Sequence, residues 1–256
     1  MGIIPIFISN YSVGDSILTL EDPEKISKDG PDSILQIVNE LNLKQVIITD
    51  KTMIGFKKLH TAFSKLGIQL IFGVKFSAAN NRFDEPSLRE SSHHRVIVFA
   101  KNDAGCKELV KLYSEAHTKS DGFLDYSLLK ERWSENLDLV FPFYNSFIHK
   151  NNFYGKQCLP EYSFTRPTFF FGEHGLPFDS VLRQKTLDYA ANHGLNTQEA
   201  HFIYYKNRAD MDAFVTYSIL THRKAGRPQT LDRPELDGMG SNDFCVESLL
   251  EKTKLC

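Results

Sequence analysis

Residues Val46 to Gly73 read VIITDKTMIGFKKLHTAFSKLGIQLIFG. Val46-Ile47-Ile48 is a short apolar run ending at Thr49-Asp50, the pattern of a strand buried on both faces. Phe56, Leu59, Phe63 and Leu66 then recur at helical spacing, and Gly67 stops the helix. Ile68 to Phe72 is a second apolar run, closed by Gly73. Strand, helix and strand in so short a stretch make a βαβ unit with a right-handed crossover. Chemistry in such units gathers past the carboxyl ends of the strands, here at Asp50, Lys51 and Lys75.

Upstream, Ile3 to Ser9 predicts a first strand whose Ile4, Ile6 and Ile8 share one face. Tyr11-Ser12-Val13-Gly14-Asp15 follows as a loop, and Gly30-Pro31-Asp32 opens a helix with Ile34, Leu35, Ile37, Val38 and Leu41 as its buried stripe. Downstream, the polar segment Asn80 to Ser92 reads as a surface excursion. Arg95 to Asn102 predicts a strand, and Asp103 caps the helix after it. Further strands are expected over Leu137–Phe143 and Thr168–Phe171, a long helix over Ser180–Asn192, and a last strand around Asn196–His201. Ser146 to Glu161, rich in Asn and aromatics, has no clear pattern.

The chain has 256 residues, 41% of them hydrophobic, with 20 Phe, enough for a sizeable core. A net charge of −2 excludes a broadly basic nucleic-acid footprint, though not a local patch. Cys106, Cys158, Cys245 and Cys256 are far apart and form no CxxC, so reduced thiols are expected. No apolar run approaches the ~20 residues of a membrane span, and Met1 to Ile8 is too short for a signal-peptide core. These features predict a soluble, cytoplasmic protein that stays off membranes, a virus-infected host cell or virus particle included.

The order Thr-Asp, Gly, helix, Leu-Gly-Ile, Ile-Phe-Gly resembles the PHP (polymerase and histidinol phosphatase) domain of the bacterial DNA polymerase III alpha subunit. Tyr11-Ser12 with Asp15, His174-Gly175-Leu176-Pro177, the NTQEAH segment and Asn207 to Met211 with the helix running on to Lys224 extend the likeness over the whole chain. The resemblance implies a distorted (β/α)7-type barrel, an α/β fold. It gives one domain over 1–256: a barrel at about 1–205 and a C-terminal helical extension at about 206–256.

In that family His, Asp and Glu side chains hold metal ions for phosphoesterase chemistry. Carried over residue by residue, Asp15, Glu199 and His201 match the pattern, with Glu199 in place of Asp. Ile6, Ile8, Lys51, Lys75 and Arg95 stand where ligands would be. Three cations near divalent ions are unfavourable. The expectation is therefore a charge-replacement cluster of Asp15, Asp50, Lys51, Lys75, Arg95, Glu199 and His201, with no metal and no other cofactor. Asp15, Glu199 and His201 are its vestigial catalytic candidates. Asp50 reads equally well as a turn cap, His201 as a hydrogen-bonded structural histidine, and His93, His94 and His174 as surface or turn residues.

The leading function is a non-catalytic binding or structural module of a replication-type or other assembly, with a polymerase or exonuclease subunit as partner. The alternative is a metal-dependent phosphoesterase or 3′–5′ exonuclease using Zn or Mn on a reduced ligand set. A cationic pocket of Lys51, Lys75 and Arg95 that holds a phosphate or a nucleic-acid end is a third reading.

Overall fold

The computed structural model describes residues 2–222 and 240–254. Among the described residues there are eight strands: β1 (Ile4–Phe7), β2 (Gln45–Asp50), β3 (Gln69–Ala78), β4 (His94–Ala100), β5 (Phe123–Leu124), β6 (Leu137–Phe141), β7 (Thr168–Phe171) and β8 (Asn196–Ile203). The described helices are α1 (Ile34–Glu40), α2 (Phe56–Lys65), α3 (Pro86–Ser91), α4 (Asp103–Lys119), α5 (Tyr126–Arg132), α6 (Phe147–Phe153), α7 (Asp179–Asn192), α8 (Met211–His222) and α9 (Val246–Lys254).

The strand order is β2-β1-β8-β7-β6-β4-β3-β5, and β2 also pairs with β3. Seven strands thus close on themselves as an α/β barrel, with β5 added beside β3. The β2-α2-β3 unit forms as its periodicity predicts. The distortion lies at β4, which runs antiparallel to both β3 and β6, whereas β1, β2, β6, β7 and β8 pair in parallel. β3 runs on to Ala78, well past the apolar run ending at Phe72.

Several boundaries move for local reasons. α1 begins at Ile34 because Ser33, not the Gly30-Pro31-Asp32 turn, caps it and accepts from Gln36 N. α4 is capped by Asn102, whose Oδ1 accepts from Gly105 N at 2.9 Å, so Asp103 is already in the first turn. Gly105 is required there: a Cβ would sit 2.3 Å from the backbone oxygen of Asn136. The unpatterned segment after Ser146 contains α6, capped by the Ser146 hydroxyl. The end of the helix expected to reach Lys224 lies outside the described residues, as does Cys256.

The chain divides into two compact units. The first comprises Met1–Phe72, Glu173–Pro177 and Ala200–Cys256; the second comprises Gly73–Gly172 and Phe178–Glu199. In the first, Ile6, Phe7, Ile8, Leu18, Ile34, Val38, Ile48, Leu59 and Phe63 are fully buried. In the second, Val74, Val96, Val98, Leu109, Leu128, Phe141 and Leu182 are fully buried. Each such side chain contributes about 1.5–3 kcal/mol through removal from water. Phe169 and Phe170 are core on opposite faces, Phe169 stacked on Phe141 at 4.8 Å and Phe170 6.4 Å from Phe99. His94 and His174, expected as surface or turn residues, are both completely buried, His94 on β4 and His174 beside the turn at Gly175.

Candidate functional site

In the first unit the carboxyl ends of β1 and β2 are tied together by Asp50. Its Oδ1 accepts from Ser9 N at 2.9 Å and Ser12 Oγ at 2.8 Å, and its Oδ2 accepts from Ser9 Oγ at 2.7 Å. The carboxylate is fully buried, so three donors offset the loss of water. Ser12 Oγ in turn accepts from Lys51 N at 2.8 Å. Asp50 therefore holds the loop after β1. Ser9 and Ser12 were missed as site residues; the only sequence signal was two hydroxyls within reach of an Asp at a neighbouring strand end.

Lys51 turns back over this loop and places Nζ 2.6 Å from Asp15 Oδ1. The two side chains are 29% and 18% exposed, so the pair is partly shielded from solvent. Ile6 and Ile8, which the resemblance aligns with histidines, are packed to zero exposure.

In the second unit Lys75 on β3 lies opposite Ile97 on β4, and Ser77 lies opposite Arg95. Directly opposed residues point to the same side, so Lys75 and Arg95 are diagonal neighbours on one face. Arg95 Nη1 donates to Ser77 Oγ. The other face of this sheet packs on helices, with Phe147 of α6 4.9 Å from Phe141 and Tyr189 of α7 5.6 Å from Phe169.

Register decides which predicted residues share a face, because side chains alternate along a strand. Ile6 pairs with Phe202, whereas His201 pairs with Pro5. His201 therefore lies on the opposite face of β8 from the residue beside Ile6. Glu199 pairs with Phe171, whose ring lies 5.2 Å from the Arg183 guanidinium of α7, so Glu199 belongs to the helix-packed face. Following the pairs from Lys75 through Ile97, Val140 and Thr168 leads to Asn196, on the other side. The ion pair brings together Asp15 and Lys51, the β3–β4 register brings together Lys75 and Arg95, and the pairings leave Glu199 facing away from Lys75 and His201 facing away from Ile6.

His201 instead organises the packing of 240–254. Its Nε2 lies 3.0 Å from Cys245 O and so donates to it, and its ring stacks on His174 at 4.5 Å. His174 Nε2 accepts from Phe202 N at 2.9 Å, and its ring stacks on Phe244 at 4.4 Å. Burial pushes the His201 pKa down to about 4 and that of His174 well below the usual value, so both rings are neutral. His174 stands beside the tight turn at Gly175, φ 76°, and its burial was not foreseen.

Asp50, Asp15 and His201, the candidate donors for the family's metal chemistry, each have partners within the chain. The oxygens of Asp50 accept from Ser9 and Ser12, Asp15 faces an ammonium, and His201 presents a protonated Nε2 to a carbonyl. Among the described residues no three His, Cys, Asp or Glu side chains converge as a metal-holding group. No helix among them is long and apolar enough to cross a membrane.

Comparison with known proteins adds the following. A family model described as "PHP domain" matches residues 25–154. The DNA polymerase III subunit alpha of Aquifex aeolicus (strain VF5) is 30% identical over 119 residues, covering 41% of this chain and 10% of that protein. The match thus spans about a tenth of the curated relative's length. A solved structure assigned as a metal-dependent phosphoesterase, from Bifidobacterium adolescentis, is 12% identical with a TM-score of 0.44, covering 78% of this chain and 87% of that one.

Proposed function

This chain belongs to the PHP domain family, and we propose that it is a non-catalytic member acting as a binding or structural module in a macromolecular assembly. The observation that carries the reading is the Lys51–Asp15 pair at 2.6 Å. A fixed ammonium occupies the place where the family pattern has a metal-binding histidine, and it meets the one loop carboxylate that the pattern retains. An ion held at Asp15 would have to displace Lys51 or sit beside it, against like-charge repulsion. Aliphatic filling at Ile6 and Ile8 supports the same reading. Lys75 and Arg95 extend this substitution of metal by side-chain cations to the second unit. The kinship with a polymerase subunit favours a replication-type assembly, with a polymerase or exonuclease subunit as partner.

The competing reading is a metal-dependent phosphoesterase or 3′–5′ exonuclease, favoured by the retained carboxylates Asp15 and Asp50 at the strand ends. Hydrolysis of single-stranded DNA and of p-nitrophenyl phosphate esters, assayed with added Mn²⁺ or Zn²⁺, separates the two. The module shows no turnover above that of Asp15→Asn. Metal-dependent turnover abolished by Asp15→Asn would establish the enzyme.

A further inference from the structure

Three large apolar side chains stand well out of the second unit: Phe83 is 64% exposed, Leu88 57% and Leu159 71%. They come from two segments, 80–92 and 156–159, that are laced together. Asn80 Nδ2 donates to Gln157 O at 2.8 Å, and Asn80 Oδ1 accepts from Leu159 N at 2.8 Å. Gln157 N donates to Ser91 O at 2.9 Å, and Lys156 Nζ to Glu90 O at 2.6 Å. The two segments that carry these side chains are thus joined into one ordered stretch of surface. Large apolar side chains exposed on joined segments are candidates for an interaction site.

Charge defines what fits there. The cations of these segments are already committed within the chain. Arg82 pairs with Asp125 at 2.7 Å, Arg89 with Asp121 at 3.3 Å and Lys156 with Glu90 at 3.2 Å. Among the described residues Asp84 and Glu85, between Phe83 and Leu88, form no ion pair. The surface is therefore apolar with an acidic remainder. We infer that it docks a protein segment bearing large apolar side chains flanked by Lys or Arg. This rests on the binding-module reading and gives it a face: the apolar side chains supply affinity, and the carboxylates select basic flanks and speed encounter.

Three synthetic peptides of equal length test it by fluorescence anisotropy: one of leucine and lysine, one of leucine and glutamate, one of serine and lysine. The full chain binds the leucine–lysine peptide best. The Phe83→Ser/Leu159→Ser double variant binds it about tenfold more weakly or worse, and Asp84→Lys/Glu85→Lys prefers the leucine–glutamate peptide. Phe83, Leu159 and Glu85 are exposed and Asp84 is half-buried in a local bond to Asn81, so unchanged circular dichroism is expected of both variants. Equal binding of the leucine–lysine and serine–lysine peptides, or no loss in the apolar double variant, overturns the inference. So does self-association of the chain that the same double variant abolishes, since the occupant is then a second copy. Metal-dependent hydrolysis would remove the non-catalytic reading while leaving these binding outcomes as they fall.

Discussion

Lys51 Nζ and Asp15 Oδ1 stand 2.6 Å apart across the carboxyl ends of β2 and β1. Because the pair is only partly exposed, it is worth more than a free surface contact but less than a buried one. A double-mutant cycle with Lys51→Met and Asp15→Asn is expected to give a coupling of about 0.5–1.5 kcal/mol, read from urea unfolding. Coupling indistinguishable from zero at low salt would remove the pair from the account.

Asp50 bears a larger share of stability. Asp50→Asn turns one acceptor into a donor aimed at groups that already donate, Ser9 or Ser12. The expected cost is about 2–3 kcal/mol, with Ser9→Ala costing less because the backbone donor survives. Thermal unfolding of the two variants checks the order; a neutral Asp50→Asn would contradict it.

Acid should destabilise the fold early. Burial holds His94 and His201 at about 4 and His149 at about 3, with His174 well below its usual 6.5. The unfolded chain takes up protons near pH 6.5 that the folded chain refuses. The stability these neutral rings allow is complete above pH 6.5 and is lost as pH falls toward 4. Each histidine removes about 1.4 kcal/mol per pH unit in that window. The urea midpoint should therefore drop markedly between pH 7 and pH 5.5; an unchanged or higher midpoint at pH 5.5 would show that the rings are protonated when folded.

Gly105→Ala is expected to cost about 1–3 kcal/mol, because the added methyl meets the Asn136 carbonyl at 2.3 Å and neither backbone can yield freely. A melting temperature equal to the parent's would mean that α4 can shift away from the strand.

Much of the fold was legible because burial imposes a period. The run at Val46–Ile48, the stripe Phe56, Leu59, Phe63, and the Gly67 stop each reported a structure that forms locally. The antiparallel placement of β4 was not legible, since its apolar run Val96–Ala100 looks the same in either direction. Nor was the facing of Glu199 and His201. A single sequence shows that two residues alternate, but pairing with Pro5 and Phe171 fixes which side each takes. His94 and His174 looked like surface groups because nothing in the sequence foretells a Tyr126 hydroxyl 2.7 Å from His94 or the Phe244 ring beside His174.

The claim that side-chain cations stand in for metal at Asp15 is tested most directly by elemental analysis. The protein would be purified from metal-replete medium without chelators, alongside Asp15→Asn and Lys51→His. The account predicts substoichiometric zinc and manganese in the parent chain, unchanged in Asp15→Asn. Stoichiometric zinc or manganese in the parent, lost in Asp15→Asn, would contradict it.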